Sequence, residues 1–366
     1  MIRTYLPLFS VVVQALFPSM VFCSPEPKAP ITIGAIASLS GPAAEQGKNW
    51  LEGAQLAIKD LNKRGIDAKL IVEDDQTNPA KVHAAFEKLV SHDHVRGVLG
   101  GTWDFLAEAA SPLALRHTIP FITPTNPVEI LSQEAKNNPW FFTTGLSMRA
   151  TEKAFKEVLG SLHPKRVALV APNVPFGVMH NDLLEKLAPS FGFSILERVD
   201  FEFEGYHTTL RNLAARLATK KPDLIFCLSD YTALELFWKE VRRHKINPWL
   251  LTTQHLDEAV KLSGTPSLWD KAVGIYPKIE SESFATQFHT EFGHAPKVYA
   301  AEGYDAALFL VQALRENISL STQPFSLEGV SGKLSGGGGK TEITSTQAIA
   351  LSVLPNGTLS LFQGER

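Results

Sequence analysis

The chain has 366 residues, 44% of them hydrophobic and 20% charged, with a formal net charge of −3. That length exceeds what one hydrophobic core organises, so two domains are expected, and the composition excludes a disordered or fibrous chain. Without a basic excess there is no field to hold nucleic acid or an anionic membrane.

The N-terminal segment differs from the rest. Arg3 supplies a positive start, and residues 6–22 are apolar apart from Ser10, Gln14 and Ser19, with Pro7 and Pro18 interrupting the run. This falls short of a membrane span of ~20 residues and reads as a secretory signal over residues 1–23. Cleavage after Cys23 would put Val21 at −3 and Cys23 at −1. Lipidation of Cys23 is the alternative, which Phe22 disfavours, because lipoprotein signals take a small residue there. A periplasmic or extracytoplasmic location is expected. No later stretch is long and apolar enough to span a bilayer. Cys227, in the apolar run 224–228, has no disulfide partner within the mature chain and reads as a small buried hydrophobe.

From residue 31 onward, β-rich runs alternate with amphipathic segments. Residues 31–36 read as a strand, and 48–62 as a helix with Leu51, Ala54, Ile58 and Leu61 on one face, stopping at Arg64-Gly65. Residues 69–72 form the next strand. Asn78-Pro79 then supplies a capping side chain and a first-turn proline for a helix through Val82, Phe86, Leu89 and Val90. Strands at 97–100 and 120–122, with a helix near 105–115 between them, extend the series. This βαβαβα order implies a parallel sheet covered on both faces.

A second run follows 140–143. Its strands are predicted at 167–170, 195–199, 223–228 and 249–252, and its helices near 150–162, 178–191, 208–218 and 233–244. After 274–276 come helices near 283–292 and 300–317, then a β-like tail at 347–354 and 358–362. Two doubly wound units bring two sets of strand C-terminal ends together, and ligands of such sheets bind outside those ends. A cleft between two lobes is therefore the expected site.

These residues resemble a known family. Ile33-Gly34-Ala35, Leu39-Ser40-Gly41-Pro42, Gly47, Gly53-Ala54-Gln55-Leu56-Ala57-Ile58 and Asn62 open the match. Glu73-Asp74-Asp75-Gln76, Gly97-Val98-Leu99-Gly100, Ile119-Pro120, Phe176-Gly177, Pro222-Asp223, Gly274 and Tyr304-Asp305-Ala306 continue it in order. The chain resembles the type I periplasmic binding proteins of the branched-chain amino acid (Leu/Ile/Val) receptor class, which deliver solutes to ABC importers. The resemblance implies two doubly wound α/β lobes joined by a three-crossing hinge. Lobe 1 would comprise 30–144 and 278–344, and lobe 2 would comprise 145–277 and 345–366. It further implies a monomer that catalyses nothing, uses no cofactor or metal, and has a small-molecule ligand and an ABC permease as partners. A sensor or regulator of the same fold is the alternative role, and an enzyme using Asp104 and Asp230 a weaker one.

The implied ligand site departs from the receptor pattern. Where the family holds the ligand carboxylate with a serine at a helix start, this chain has Asp104. Whether it caps the helix or faces the ligand, its own charge disfavours a second carboxylate there. The family's ammonium-binding glutamate aligns with Gln254, which brings hydrogen bonds without charge. A pocket tyrosine aligns with Asp230, beside Tyr231, and the loop after the fourth lobe-1 strand becomes Thr125-Asn126-Pro127. Phe176 and Tyr299 match family aromatics that cover the ligand, and Thr102 and Trp103 sit beside Asp104. Together they suggest a neutral, cationic or amide-bearing ligand.

Other motifs read as structural. Ser335-Gly336-Gly337-Gly338-Gly339-Lys340-Thr341 lacks the first glycine of a phosphate-binding loop, since Leu334 stands there, and reads as a flexible surface turn. The histidines lack zinc-ligand spacing, Asp74-Asp75 opens no calcium loop, and no serine sits in a Gly-x-Ser-x-Gly elbow.

Overall fold

Ile33, Ala35 and Ala37 point into one core with Trp50 and Phe309, while Ile36 points into another with Phe86 and Phe121. A strand buried on both faces needs helices on both, and the alternation follows from the two-residue period of the pleat. The computed structural model describes residues 29–202, 204–343 and 347–364, so the predicted signal segment lies outside the described residues.

The first lobe runs β1 (Ile31–Ala37), α1 (Ala44–Lys63), β2 (Ala68–Asp74), α2 (Pro79–Glu87), β3 (Val98–Gly100), α3 (Asp104–His117), β4 (Phe121–Thr123), α4 (Gln133–Lys136) and β5 (Phe141–Thr143). Its sheet has the order β2-β1-β3-β4-β5, all parallel. Asn78 caps α2 by accepting from the Ala80 N–H at 2.9 Å, with Pro79 in the first turn.

The second lobe runs α5 (Met148–Leu162), β6 (Arg166–Pro172), α6 (Pro175–Phe191), β7 (Ser194–Phe201), α7 (Tyr206–Lys220), β8 (Leu224–Cys227), α8 (Tyr231–Arg243), β9 (Trp249–Thr252), α9 (Leu256–Ser263) and β10 (Ala272–Pro277). Ile225 and Cys227 face a core with Trp238 and Trp269, and Leu224 and Phe226 face one with Phe155. Cys227 is thus a buried hydrophobe, its thiol pushed above the ordinary range by burial.

The chain then returns. Helices α10 (Glu282–Phe292) and α11 (Ala300–Arg315) cover the first sheet through Phe284, Phe288 and Phe309. The hairpin β11 (Pro324–Gly329) and β12 (Gly332–Gly337) is tied to α11, because Asp305 accepts from the Val330 and Ser331 N–H groups at 2.7 and 3.1 Å. Strands β13 (Ala348–Val353) and β14 (Leu359–Leu361) extend the second sheet, whose order is β14-β13-β10-β9-β8-β6-β7 with only the last two additions antiparallel. The connecting strands lie side by side. Thr143 bridges Glu342, and the Lys278 N–H donates to the Gln347 carbonyl at 2.7 Å. This is the two-lobed, doubly wound α/β architecture with a three-crossing hinge.

The close approach of α1 and α11 sets the first lobe. A Cβ at Gly53 would lie 1.8 Å from the Ala300 carbonyl oxygen, and one at Gly303 would lie 2.0 Å from that of Trp50. Only paired glycines let these backbones touch.

Three expectations need correction. Helix α1 begins at Ala44, a turn before the predicted start. The eight-residue α9 went unread, although Leu256, Ala259 and Val260 form its buried face, because so short a run shows little periodicity. Ser335, Gly336 and Gly337 belong to β12 and not to a surface turn, Gly336 lying where a Cβ would meet Ile343 at 2.5 Å. The turn itself is Gly338-Gly339, at φ 62 and 87°.

Candidate functional site

Both parallel sheets reverse strand order beside their first strands, between β1 and β3 and between β6 and β8. Those switch points place loops at the strand C-terminal ends, and the two lobes turn these ends toward each other. Between them lies a cavity of about 640 Å³, within the range that holds a drug-sized molecule. All ten residues singled out in the sequence line it: Thr102, Trp103, Asp104, Thr125, Asn126 and Tyr299 from the first lobe, Phe176, Asp230, Tyr231 and Gln254 from the second. A groove of about 500 Å³ also exists at the opposite ends of the second-lobe strands, near Lys221, Lys245 and Lys271. It lies away from any switch point.

The ten differ in what they offer. Thr102 Oγ1 accepts from the Ser38 N–H at 3.3 Å and Trp50 Nε1 at 3.1 Å, so it is turned into the lobe. Thr125 Oγ1 donates within hydrogen-bond range of the Gly101 and Thr102 carbonyls, at 3.0 and 2.9 Å. Asn126 Nδ2 donates to the Gly101 carbonyl at 2.8 Å. These three side chains brace the loop floor, around Gly101 at φ 78°.

Asp104 is not the cap of α3. Trp103 occupies that position without a side-chain cap, and Asp104 is the first helical residue, its Oδ1 accepting from the Phe105 N–H at 2.8 Å. Burial pushes its carboxyl above the ordinary range, and Glu108 nearby adds to the shift against the Phe105 hydrogen bond. Asp230 does cap a helix: it accepts from the Thr232 and Ala233 N–H groups at 2.8 and 3.1 Å at the start of α8. Its charge is therefore answered by a helix N-terminus.

The aromatic groups form walls. Phe176 packs edge-on against His180 with centroids 4.4 Å apart, and burial lowers His180 to about 4, so that imidazole is neutral at physiological pH. Trp103 Nε1 donates to Gln46 Oε1. Tyr299 sits at φ 71°, a conformation that costs a bulky residue and is held by the surrounding packing. Burial first, then the Glu302 charge, raises its hydroxyl, against a hydrogen bond with Gln254. Across the cleft, Tyr231 is raised chiefly by its hydrogen bond to Glu45. Gln254 is only 8% exposed, and its Oε1 has no hydrogen-bond partner.

Several lining residues escaped the sequence reading: Glu45, Gln46 and Asn49 on the first turns of α1, and His255 and Glu258 beside α9. His255 Nδ1 lies 2.9 Å from Glu258 Oε2. The signals were present, since Glu45 follows the loop after β1, at a switch point, and Glu258 lies four residues after Gln254, in the first turn of α9. Both depended on helix starts that were misplaced or missed. Among the described residues no cluster of three metal-binding side chains occurs. The arrangement offers packing, hydrogen bonds and negative charge to a molecule between the lobes.

Comparison with known proteins agrees with this geometry. The family model described as "Periplasmic binding protein" matches residues 30–345. The Leu/Ile/Val-binding protein BraC3 of Rhizobium johnstonii is 30% identical over 56% of this chain and 55% of its own length. The Leu/Ile/Val-binding protein of Citrobacter freundii is 29% identical over 40% of this chain and 41% of its own. The chain thus spans about half the length, or less, of these curated relatives. Among solved structures, the branched-chain amino acid transporter substrate binding protein LivJ from Streptococcus pneumoniae, in complex with isoleucine, superposes with a TM-score of 0.75 at 19% identity, covering 91% of this chain and 98% of that one. A solute binding protein from R. palustris, in complex with 4-hydroxybenzoate, gives 0.77 at 17% identity, covering 92% and 96%. With a match running through both lobes and the hinge between them, this chain belongs to the periplasmic binding protein family.

Proposed function

We propose that the protein is an exported solute-binding protein that captures a small molecule, amino-acid-like, amide or cationic, in the interlobe cleft and delivers it to an ABC importer. The convergence of loops from both lobes on one aromatic-walled cavity carries this reading. The similarity to Leu/Ile/Val-binding proteins supports it. In this reading the protein works as a monomer outside the cytoplasm, has a membrane permease as its partner and performs no chemistry. The first lobe receives the ligand against the Thr102–Asp104 and Thr125–Asn126 loops. The second closes over it with Phe176, Tyr231 and Gln254, a hinge motion about the three connecting strands.

Asp104 in the first turn of α3 puts the protein's own carboxylate at that helix start, which disfavours a ligand carboxylate there. Thermal unfolding against amino acids, amides, amines and aromatic acids tests the reading. A ligand at a hundred times its dissociation constant adds ~2.7 kcal/mol, a shift of several degrees in Tm. A shift by at least one compound, lost in Phe176→Ala, is expected. No shift with any compound refutes small-molecule capture.

A further inference from the structure

The cavity is lined by the carboxylates of Glu45, Asp104, Asp230 and Glu258, and by no lysine or arginine among the described residues. Three of these charges are answered locally. Glu45 faces Lys297 Nζ at 3.2 Å, Glu258 lies 2.9 Å from His255, and Asp230 accepts two N–H groups at the start of α8. Asp104, in the first turn of α3, accepts the Phe105 N–H but pairs with no cation among the described residues, and Glu108 adds a like charge on the same helix. A half-buried carboxylate in that position is stabilised by a cation brought to it, and the neighbouring carboxylates oppose any anion.

A second observation comes from the other lobe. Gln254 Oε1 is buried and accepts nothing, so it calls for an N–H or O–H donor. Glu258, in the first turn of α9, lines the same cavity. Trp103, Phe105, Phe176, Tyr231 and Tyr299 supply apolar and π-faced surface around these acceptors.

We propose that the cleft selects an organic cation: a primary amine on an aromatic or branched apolar body, with no carboxylate of its own. The amine's charge answers Asp104, and one of its N–H groups answers Gln254 Oε1. The body fills the aromatic walls. An α-amino acid of the same shape would carry its carboxylate into a cavity whose helix start already holds Asp104 and whose other walls carry Glu45, Asp230 and Glu258. This inference rests on the cleft being a small-molecule site.

The test is calorimetric titration of the purified protein with one body and four head groups: 2-phenylethylamine, phenylalanine, 3-phenylpropionamide and 3-phenylpropionate. An aliphatic pair, isoamylamine and leucine, repeats the comparison. The amine should bind at least about tenfold more tightly than its zwitterion and anion. Asp104→Asn should weaken the amine by about tenfold or more while retaining the neutral amide, which also reports that the variant is folded. Gln254→Met, which removes the acceptor without altering charge, should weaken the amine several-fold. Leucine, phenylalanine or 3-phenylpropionate binding as tightly as the amines overturns the cation assignment and leaves solute binding standing. So does an Asp104→Asn protein with undiminished amine affinity. Heat from none of the six compounds overturns the assignment; solute capture by another class is then decided by the broader thermal panel.

Discussion

Glu302 carries a carboxylate into the interior of the first lobe, 2% exposed, with one oxygen that accepts no hydrogen bond. Burial, with the Asp305 charge adding to it, raises its pKa from 4.5 to about 8, whereas Asp305, which is also buried but accepts three hydrogen bonds, is raised only to about 6. A carboxyl raised in the folded state binds more protons there than in the unfolded chain. Its contribution is fully present below 4.5 and is lost as pH rises through about 8. Glu302→Gln should flatten that decline and raise Tm on the alkaline side by a few degrees, as measured by thermal unfolding across the window. A slope unchanged by the substitution would assign the decline to another group. The same contrast explains what the sequence revealed of the site. The resemblance to the receptor family directed Asp104, Phe176 and Gln254 to the cleft, and all three line the cavity. It could not say that Thr102 and Thr125 turn their hydroxyls inward, because that depends on Ser38, Trp50 and Gly101 arriving from other parts of the chain.

At the level of elements, α1 and α11 are bound by the glycine pair Gly53 and Gly303. The atoms that a new Cβ would meet are backbone carbonyls, which cannot rotate aside. Gly53→Ala should therefore destabilise the first lobe by ~3 kcal/mol through overpacking, despite alanine's better helix propensity. Urea denaturation gives the number, and a neutral or stabilising value would show that the helices part readily. The periodicity of α1 was legible over its central turns, and so were most of the strands, since they are unbroken apolar runs. Helix starts were less so. Ala44 to Gly47 offers no capping side chain, and α9 is too short for its apolar spacing to stand out. Those two ends hold Glu45 and Glu258, so one helix start set a turn late and one short helix left unread hid two of the four carboxylates that line the cleft.

At the scale of the molecule, alternation of strand and helix was sufficient to indicate two parallel-sheet lobes. Sheet order and the pairing of the returning strands are long-range facts that short motifs do not encode. The lobes meet through few contacts at the cleft, among them Tyr231 against Glu45 and Tyr299 against Gln254. Tyr231→Phe removes one of these bonds and no apolar surface. It should shift the unliganded protein toward an open form, seen as a larger radius of gyration in small-angle scattering, with ligand affinity reduced by no more than about tenfold. An unaltered radius would mean that the hinge strands alone set the opening.

The interleaved path of the chain also governs when it can become a protein. Trp50 and Phe309 share one core, so the first lobe stays unfinished until residues beyond 300 have left the ribosome. The second sheet waits for β13 and β14, closer still to the C-terminus. During synthesis the core around Phe86 and Phe121 can close from residues 36–141, whereas the face shared by Trp50 and Phe309 stays uncovered until α11 has been made. The first lobe therefore matures in two stages, one face early and the other only after nearly the whole chain has emerged.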